Sequence, residues 1–512
     1  LFFISSANSV KNDRQVRERV AVAIMEDVEN GIHVTHESEV RKPLIQQREL
    51  AKAEESSSDG QGSLWMVLLS TGVAVCGSFE FGSCIGYSAP TQAGITKDIG
   101  LSLSQYSIFA SILTTGGMVG AVTSGHLSDY IGRKGAMRIS AVVCIIGWLA
   151  IYFAKDTFLL CLGRLFTGYG IGVLSYVVPV FIAEIAPKNL RGGLTSLNQL
   201  LLVGGNSVAF IIGTLVSWRA LVLVGVLPCL VLLLGLVFIP ESPRWLAKVE
   251  HQKESISALQ KLRGKDADIT QETAEIQECI ENLQTLPRAG FQDLFQSRYI
   301  RSVIVSVGLM VFQQTGGING VGFFASQIFV SAGFSSGNLG TILMGCIQVP
   351  ITIVGAILMD RSGRIPLLMV SASGSSVGCF ITGISFYLKA SLNLSVGQGI
   401  YMDWVPTLAL SGILVYLGSY SIGMGAVPWV MMSEIFPLNI KGVGGSLVTL
   451  VSWFGSWAVS YAFNFLMSWS SAGTFFLFSA AGAATLLFVA RVVPETKGRS
   501  LEEIHESLNS SK

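Results

Sequence analysis

The chain has few charged residues: 13% of its 512 residues are Asp, Glu, Lys or Arg, whereas 50% are hydrophobic and the mean hydropathy is +0.57. So little charge excludes a soluble protein of this length, because its surface would lack polar groups. We therefore predict a polytopic membrane protein. The net charge of +1 is spread over short loops, and no basic face indicates a nucleic-acid partner.

Histidine is scarce and the cysteines form no pattern. The five histidines are scattered over the tail, loops and C-terminus, and seven of the eight cysteines fall inside apolar runs, with Cys279 in a polar segment. This distribution excludes a disulfide framework and gives no metal-ligand spacing. The glycine pattern Gly168-Tyr-Gly-Ile-Gly172 lies inside an apolar run, where close helix packing is favoured over nucleotide binding. We expect no enzyme, cofactor or metal site.

Apolar runs near the roughly 20 residues that cross a bilayer occur twelve times along the chain. We predict an all-α membrane protein with twelve transmembrane helices in two six-helix halves. Lys and Arg collect in the loops after spans two, four, six, eight and ten, which indicates that these loops and both termini are cytosolic. The predicted spans are 64–88, 106–125, 136–154, 158–180, 194–216, 218–239, 300–330, 337–359, 366–388, 405–432, 444–468 and 472–492.

Composition divides the chain into five parts. Residues 1–60 are polar and predict a disordered cytosolic tail, in which Met25 is the expected start and 1–24 an upstream extension. The other parts are an N-terminal half at 61–239, a cytosolic helical linker at 240–299, a C-terminal half at 300–493 and a cytosolic tail at 494–512.

The two halves repeat three loop motifs in one order. They are Asp129-Tyr-Ile-Gly-Arg133 with Asp360-Arg-Ser-Gly-Arg364, Pro179 to Arg191 with Pro428 to Lys441, and Pro240-Glu-Ser-Pro-Arg-Trp-Leu246 with Pro494-Glu-Thr-Lys-Gly-Arg499. Such repeats predict a transporter with its binding site at the midplane, between the halves.

Three amides, Gln313, Gln314 and Asn319, lie beside Gly316 and Gly317 in predicted span seven. Lipid offers them no partner, so they face other helices or a polar cargo. Each amide carries a donor and an acceptor, which suits adjacent hydroxyls of a sugar ring. Bonds from helix to helix remain the alternative.

The motifs together resemble those of the sugar porter family of the major facilitator superfamily. Besides the repeats, Gly163-Arg-Leu-Phe-Thr-Gly168 and Gln313-Gln-Thr-Gly-Gly-Ile-Asn319 occur in the family's order. The stretch from Ala74 to Gln92 is most similar to plant early-responsive-to-dehydration-like monosaccharide transporters. The resemblance implies transport of a hexose such as glucose across the vacuolar membrane by alternating access, and the plasma membrane remains the alternative. We expect a monomer.

The resemblance also implies the sugar contacts and a cytosolic gate. Serines stand at 421, 452 and 456, where the family often has an acid or asparagines. The implied sugar-binding residues are Gln199, Gln313, Gln314, Asn319, Gln348 and Trp429. The implied gate of ion pairs consists of Asp129, Arg133, Glu184, Arg191, Asp360, Arg364, Glu434 and Lys441.

Two ionisable residues lie well inside predicted spans, Glu80 and Arg164. Such residues are costly in a membrane unless paired or functional. We expect them to pair and Glu80 to carry a proton, although the family's acidic position is occupied by Cys84. A facilitator with a fixed Glu80, a polyol transporter and a non-transporting sugar sensor remain the alternatives.

Overall fold

The computed structural model describes residues 64–187, 190–285, 290–296, 298–395, 404–436 and 440–497. Over these residues the chain is helical and forms no strand. Ten of the helices are long and apolar enough to cross a membrane. Predicted residues 1–60 and the end of the C-terminal tail lie outside the described residues.

The N-terminal half supplies predicted spans one to six. Span one continues beyond its membrane length, because α2 follows α1 after the single residue Tyr87. The helices are α1 (Trp65–Gly86), α2 (Ser88–Ile99), α3 (Leu103–Tyr152), α4 (Thr157–Ile185), α5 (Arg191–Gly213) and α6 (Trp218–Phe238).

Helix α3 has 50 residues and contains both span two and span three. The predicted loop between them is almost entirely helical, and the direction changes at Gly132, which has φ 82° and ψ 169°. A side chain is strained at such a positive φ, so glycine is the residue that allows this turn. The turn brings Asp129 and Arg133 to one end of the bundle.

Three short helices follow the first half: α7 (Pro243–Lys248), α8 (Gln252–Arg263) and α9 (Thr270–Thr285). Helix α7 begins where the Ser242 side chain accepts the backbone N–H of Trp245 at 3.2 Å. The Trp245 indole donates to the carbonyl of Asp129 at 2.9 Å, which docks α7 on the turn of α3.

In the C-terminal half, spans seven and ten are broken. Span seven breaks at Gly317, which has φ 90°. Span ten is interrupted at 423–426, within the run Gly423-Met-Gly-Ala-Val-Pro428, whose glycines and proline predict a kink. The helices are α10 (Ile300–Thr315), α11 (Ile318–Phe323), α12 (Ala325–Ala332), α13 (Asn338–Ser362), α14 (Arg364–Ser395), α15 (Trp404–Ile422), α16 (Val427–Ile435), α17 (Lys441–Trp469) and α18 (Ser471–Val492).

The predicted fold of twelve spans is therefore confirmed. The ten apolar helices supply eleven spans, because α3 contains both span two and span three. The twelfth, span seven, is divided among α10, α11 and α12, each of which is too short to cross a membrane alone.

The halves meet through α3 with α17 and through α5 with α13. The Asn464 amide donates to Ser107 at 2.8 Å, and a methyl group on Gly117 would collide with the Trp453 ring. Helices α3 and α17 are therefore antiparallel, so Arg133 and Lys441 lie at the same end of the bundle. We call this the charged end, and the end with Ser107 and Asn464 the opposite end.

Candidate functional site

The amide of Gln314 joins broken span seven to α17. Its Nε2 donates to Gln313 Oε1 and to Ser452 Oγ, each at 3.1 Å. Its Oε1 accepts from Asn319 Nδ2 at 2.6 Å and from Ser456 Oγ at 3.0 Å. A glutamine amide has two donors and two acceptor sites. All four are occupied by protein groups in this conformation.

Gln313 connects span seven to the break in span ten. Its Nε2 donates to the carbonyl of Met424 at 2.5 Å, within the segment where span ten leaves helical geometry. At the neighbouring break, the Tyr416 hydroxyl donates to the carbonyl of Gly316 at 2.9 Å. The helix-to-helix alternative is thus what Gln313 and Gln314 do here, and the two breaks are held together by side chains.

Gln313, Gln314 and Asn319 form what we call the amide cluster. Within it, the Asn319 Oδ1 accepts no hydrogen bond from the described residues. Asn319 is half-buried, and its Nδ2 donates to Gln314 and, at 2.8 Å, to Ser456. Ser452 and Ser456 therefore bind the cluster. The sequence signal for them was only that serines stand where asparagines are usual, and nothing in their spacing predicted that they bond Gln314.

The other predicted sugar contacts lie apart from this cluster. Gln348 on α13 accepts from Asn206 Nδ2 on α5 at 2.7 Å. Gln199 is half-buried on α5, seven residues before Asn206 and so on the same helix face. Trp429 on α16 packs against an apolar cluster that includes Met310. Among the described residues, Asn319 makes its side-chain hydrogen bonds to Gln314 and Ser456 and none to Gln199, Gln348 or Trp429.

Trp453 was not predicted and lies between the halves. Its ring stacks on Phe81 of α1 with centroids 5.8 Å apart and lies against Gly117 of α3. It follows Ser452 directly on α17, but adjacent residues of a helix do not face each other. Its ring therefore contributes an aromatic contact between the halves.

Glu80 is fully buried in the N-terminal half. Its Oε1 accepts from the Trp148 indole at 2.6 Å and from the Cys84 thiol at 3.1 Å. Its Oε2 meets no donor in hydrogen-bond geometry among the described residues, although the Cys229 thiol lies close to the carboxylate. A buried oxygen without a well-formed hydrogen bond is costly.

Arg164 is also fully buried, but the expected ion pair with Glu80 is not formed. Its guanidinium donates to the carbonyl of Cys84 at 2.8 Å and to the Ser88 hydroxyl at 2.5 Å. The Phe109 ring lies 5.1 Å from the guanidinium carbon. The pairing hypothesis assumed that Glu80 could replace an acid at position 84, one helical turn later. Its carboxylate instead accepts from the Trp148 indole.

At the charged end, three predicted gate residues of the N-terminal half form ion pairs with one another. Arg133 binds both carboxylate oxygens of Glu184, at 2.9 and 2.7 Å, and also Asp129 at 3.2 Å. Lys248 of the linker reaches Asp129 at 2.9 Å. Such a two-bond geometry between guanidinium and carboxylate is among the stronger ion pairs.

The C-terminal half repeats this arrangement. Arg364 donates to Glu434 at 2.8 Å, and Thr496 donates to the other oxygen of Glu434 at 2.6 Å. Arg191 forms no ion pair with the described residues, and its Nε is buried without a partner. The side chain of Asp360 lies outside the described residues.

Two glutamates that were not predicted as site residues support these gates. The Glu241 carboxylate accepts the backbone N–H of Lys134 at 3.0 Å. Its pKa is raised by burial, against backbone hydrogen bonds that lower it. Glu495 accepts the N–H groups of Arg364 and Ile365, each at 3.0 Å. Burial raises the pKa of Glu495, but backbone hydrogen bonds outweigh it and the net pKa is lowered.

Two six-span halves, two broken spans linked by amides and a matching pair of ion-pair clusters at one end define a transporter of the major facilitator fold. Comparison with known proteins agrees. The family described as "Sugar (and other) transporter" matches residues 50–508. The chain belongs to this sugar transporter family, as the motif resemblance predicts.

Two similar relatives are proteins of Arabidopsis thaliana. The chain is 61% identical over 485 residues to "Sugar transporter ERD6-like 16" of Arabidopsis thaliana, covering 95% of this chain and 98% of that protein. It is 59% identical to "Sugar transporter ERD6-like 7" of the same plant, covering 87% and 94%. The early-responsive-to-dehydration-like assignment is therefore confirmed.

Solved structures of XylE are similar over nearly their whole length. The inward-open conformation of the xylose transporter XylE from E. coli superposes with a TM-score of 0.71 at 26% identity, covering 86% of this chain and 99% of that one. The proton:xylose symporter XylE bound to 6-bromo-6-deoxy-D-glucose gives a TM-score of 0.70 at 26% identity, with the same coverage.

Proposed function

We propose that this sugar transporter moves a hexose such as glucose by alternating access, with the sugar bound between the two halves. The observation that carries the proposal is the amide cluster of Gln313, Gln314 and Asn319, which joins the breaks in spans seven and ten to α17. A ligand that bonds this cluster would act on both breaks and on the contact between halves. Binding and conformational change would thus be coupled.

In this proposal the sugar binds by exchanging hydrogen bonds. Gln199 makes no side-chain hydrogen bond to the described residues, and Asn319 has an unused Oδ1, so both are ready for hydroxyls. Gln314 would give up bonds to Ser452 and Ser456, whose hydroxyls can then turn to the sugar. Gln348 and Trp429 would complete the site from α13 and α16. A sugar lacking one hydroxyl would leave a buried amide unpaired, at about 1–3 kcal/mol.

The contacts between the halves support a conformation open towards the charged end. The three side-chain hydrogen bonds between described residues of the two halves are Gln92 with Gln327, Ser107 with Asn464, and Asn206 with Gln348. At the charged end, the ion pairs between described residues stay within one half or reach the linker. If the charged end is cytosolic by the positive-inside rule, this is an inward-open state.

Proton coupling is part of the proposal, with Glu80 as the group that takes up the proton and Arg164 as the nearby cation. The buried Oε2 without a well-formed hydrogen bond supports this role, and a similar structure is described as a proton:xylose symporter. The bonds from Trp148 and Cys84 favour the alternative, a facilitator in which Glu80 is a fixed structural residue.

Location follows from the resemblance and the charge pattern. We propose a vacuolar membrane protein, in place of a plasma membrane protein, with both termini in the cytosol and the opposite end in the lumen. The polypeptide would act as a monomer. A polyol cargo or a sensor without transport remains the rival to be tested.

The test is uptake of labelled glucose into proteoliposomes with and without an imposed proton gradient, comparing the native sequence with Glu80→Gln and Gln314→Ala. We expect accumulation that needs the gradient, is lost in Glu80→Gln while equilibration persists, and is lost entirely in Gln314→Ala. Equilibration insensitive to the gradient in the native protein would refute coupling and leave the hexose proposal intact. Absence of any monosaccharide uptake would refute the hexose proposal, and inositol uptake would then support the polyol rival.

A further inference from the structure

Two buried thiols lie beside the carboxylate of Glu80. One carboxylate oxygen of Glu80 and the sulfurs of Cys144 and Cys229 lie within 4.8 Å of one another. All three residues are fully buried, and the Cys229 side chain interacts with both of the others. They come from three helices, α1, α3 and α6, so the fold itself assembles this cluster. Buried cysteines are usually inert apolar residues, but two of them gathered at a buried carboxylate form a set of metal-ligating groups.

We propose that Glu80, Cys144 and Cys229 form a binding site for a thiophilic divalent cation of the Zn²⁺ class in the core of the N-terminal half. Zinc takes thiolate and carboxylate ligands in a tetrahedron, with metal–ligand bonds of about 2.0–2.3 Å. Donor atoms in such a tetrahedron are separated by roughly 3.5 Å, so small side-chain rotations would close the site.

Neighbouring groups suit a metal site. The Cys84 sulfur, 3.1 Å from Glu80 Oε1, offers a fourth donor. The Trp148 indole donates to that same oxygen and fixes the orientation of the carboxylate, as outer groups do for metal ligands. Arg164 donates to the carbonyl of Cys84 at 2.8 Å, so a buried cation stands beside the group and offsets part of its negative charge.

The site does not depend on sugar transport. It shares Glu80 with the proposed proton coupling, and a bound cation would compete with a proton for that carboxylate. The metal content of the protein therefore affects any coupling assay. Because the ligands are fully buried, the cation would enter during folding. The metal is therefore best supplied during expression.

The test measures zinc in the full chain, expressed in zinc-supplemented medium, washed with a chelator and counted by inductively coupled plasma mass spectrometry. A background with Cys279→Ser and Cys346→Ser removes two exposed thiols. We expect one zinc per chain, falling by about tenfold or more in C144S/C229S. Cys379→Ser is the matched control, since Cys379 is buried in the other half, and it should keep the metal.

Substitution with Co²⁺ gives a second readout, because a thiolate-bound Co²⁺ has a visible charge-transfer band. If C144S/C229S does not fold, Glu80→Gln removes the anionic ligand with little change in volume, and its zinc content and Co²⁺ band should both fall. Folded native protein without zinc, zinc retained in folded C144S/C229S or in Glu80→Gln, or a Cys144–Cys229 disulfide in the purified protein would each overturn the proposal.

Discussion

The Glu241 carboxylate accepts the backbone N–H of Lys134 at 3.0 Å, although the two residues are 107 positions apart. Glu495 does the same for Ile365, the equivalent residue of the other half, at 3.0 Å. In both halves the accepted N–H lies two residues after a glycine of positive φ, Gly132 or Gly363. A single structural device therefore holds the turn before each gate arginine, and its two copies differ in the pKa of the glutamate.

This difference predicts opposite pH behaviour. Because folding lowers the pKa of Glu495, its carboxylate stabilises the protein at pH values above the pKa of an unfolded glutamate. This stability is lost as the pH falls through the pKa of the folded state. Glu495→Gln should therefore destabilise at pH 7, by about 1 kcal/mol, and the loss should vanish at low pH. For Glu241 the pKa is raised by burial, so protonation is favoured by folding and Glu241→Gln should cost less at pH 7. Thermal shift of detergent-purified protein from pH 7 to pH 4 measures both, and a greater loss in Glu241→Gln at neutral pH would contradict the assignment.

The gate pairs predict a contrast in magnitude. Arg133 is buried and binds Glu184 through two bonds, so Arg133→Ala leaves a carboxylate unpaired and should destabilise by about 3 kcal/mol. Lys248→Ala is the matched control, because both members of the Lys248–Asp129 pair are about half exposed, and it should cost under about 1 kcal/mol. Melting temperatures of the two variants test this. Equal losses would mean that Arg133 is only a surface anchor.

The helices follow from the sequence because each apolar run is long enough to cross a bilayer and glycine or proline marks each break. Gly317 and Pro428 lie at the breaks in spans seven and ten, as the kink prediction for span ten expects. The loop at 129–133 was harder to predict, since its residues all suit a helix and a single positive φ at Gly132 makes the turn.

The candidate site could be predicted only as far as residue type. Amides inside an apolar span need partners, which points to Gln313, Gln314 and Asn319. Gln314 and Asn319 bond serines of α17, and Gln313 bonds Met424 at the break of span ten. Ser452 is 138 positions from Gln314, a separation that no spacing rule covers. The Glu80 pairing failed for a similar reason, because which neighbouring helix a side chain faces depends on packing. The cluster of Glu80, Cys144 and Cys229 was not predicted, because its three residues belong to different spans.

Closure at the opposite end gives a third prediction. Gln92 and Gln327 are bonded between the halves at 2.6 Å. Gln92→Ala removes this bond and should shift the population towards opening at that end by about 1 kcal/mol, roughly fivefold. Hydrogen exchange of α2 and α12, followed by mass spectrometry, should become faster. Gln105→Ala is the control, since Gln105 bonds only within its own half, to Ser102. Unchanged exchange in Gln92→Ala would show that the bond between Gln92 and Gln327 does not hold this end closed.

The amides of the proposed sugar site predict two separable effects. Gln199 has no hydrogen bond to the described residues, so Gln199→Ala should leave the melting temperature unchanged and raise the KM for glucose by about tenfold, the equivalent of one lost hydrogen bond at 1.4 kcal/mol. Gln314 makes four bonds, so Gln314→Ala should lower the melting temperature and transport together. Initial uptake rates in proteoliposomes and thermal shift measure the pair. A Gln199→Ala protein with unchanged KM would place the sugar away from α5. The Gln199 amide, which makes no side-chain hydrogen bond to the described residues, would then not bind the sugar either.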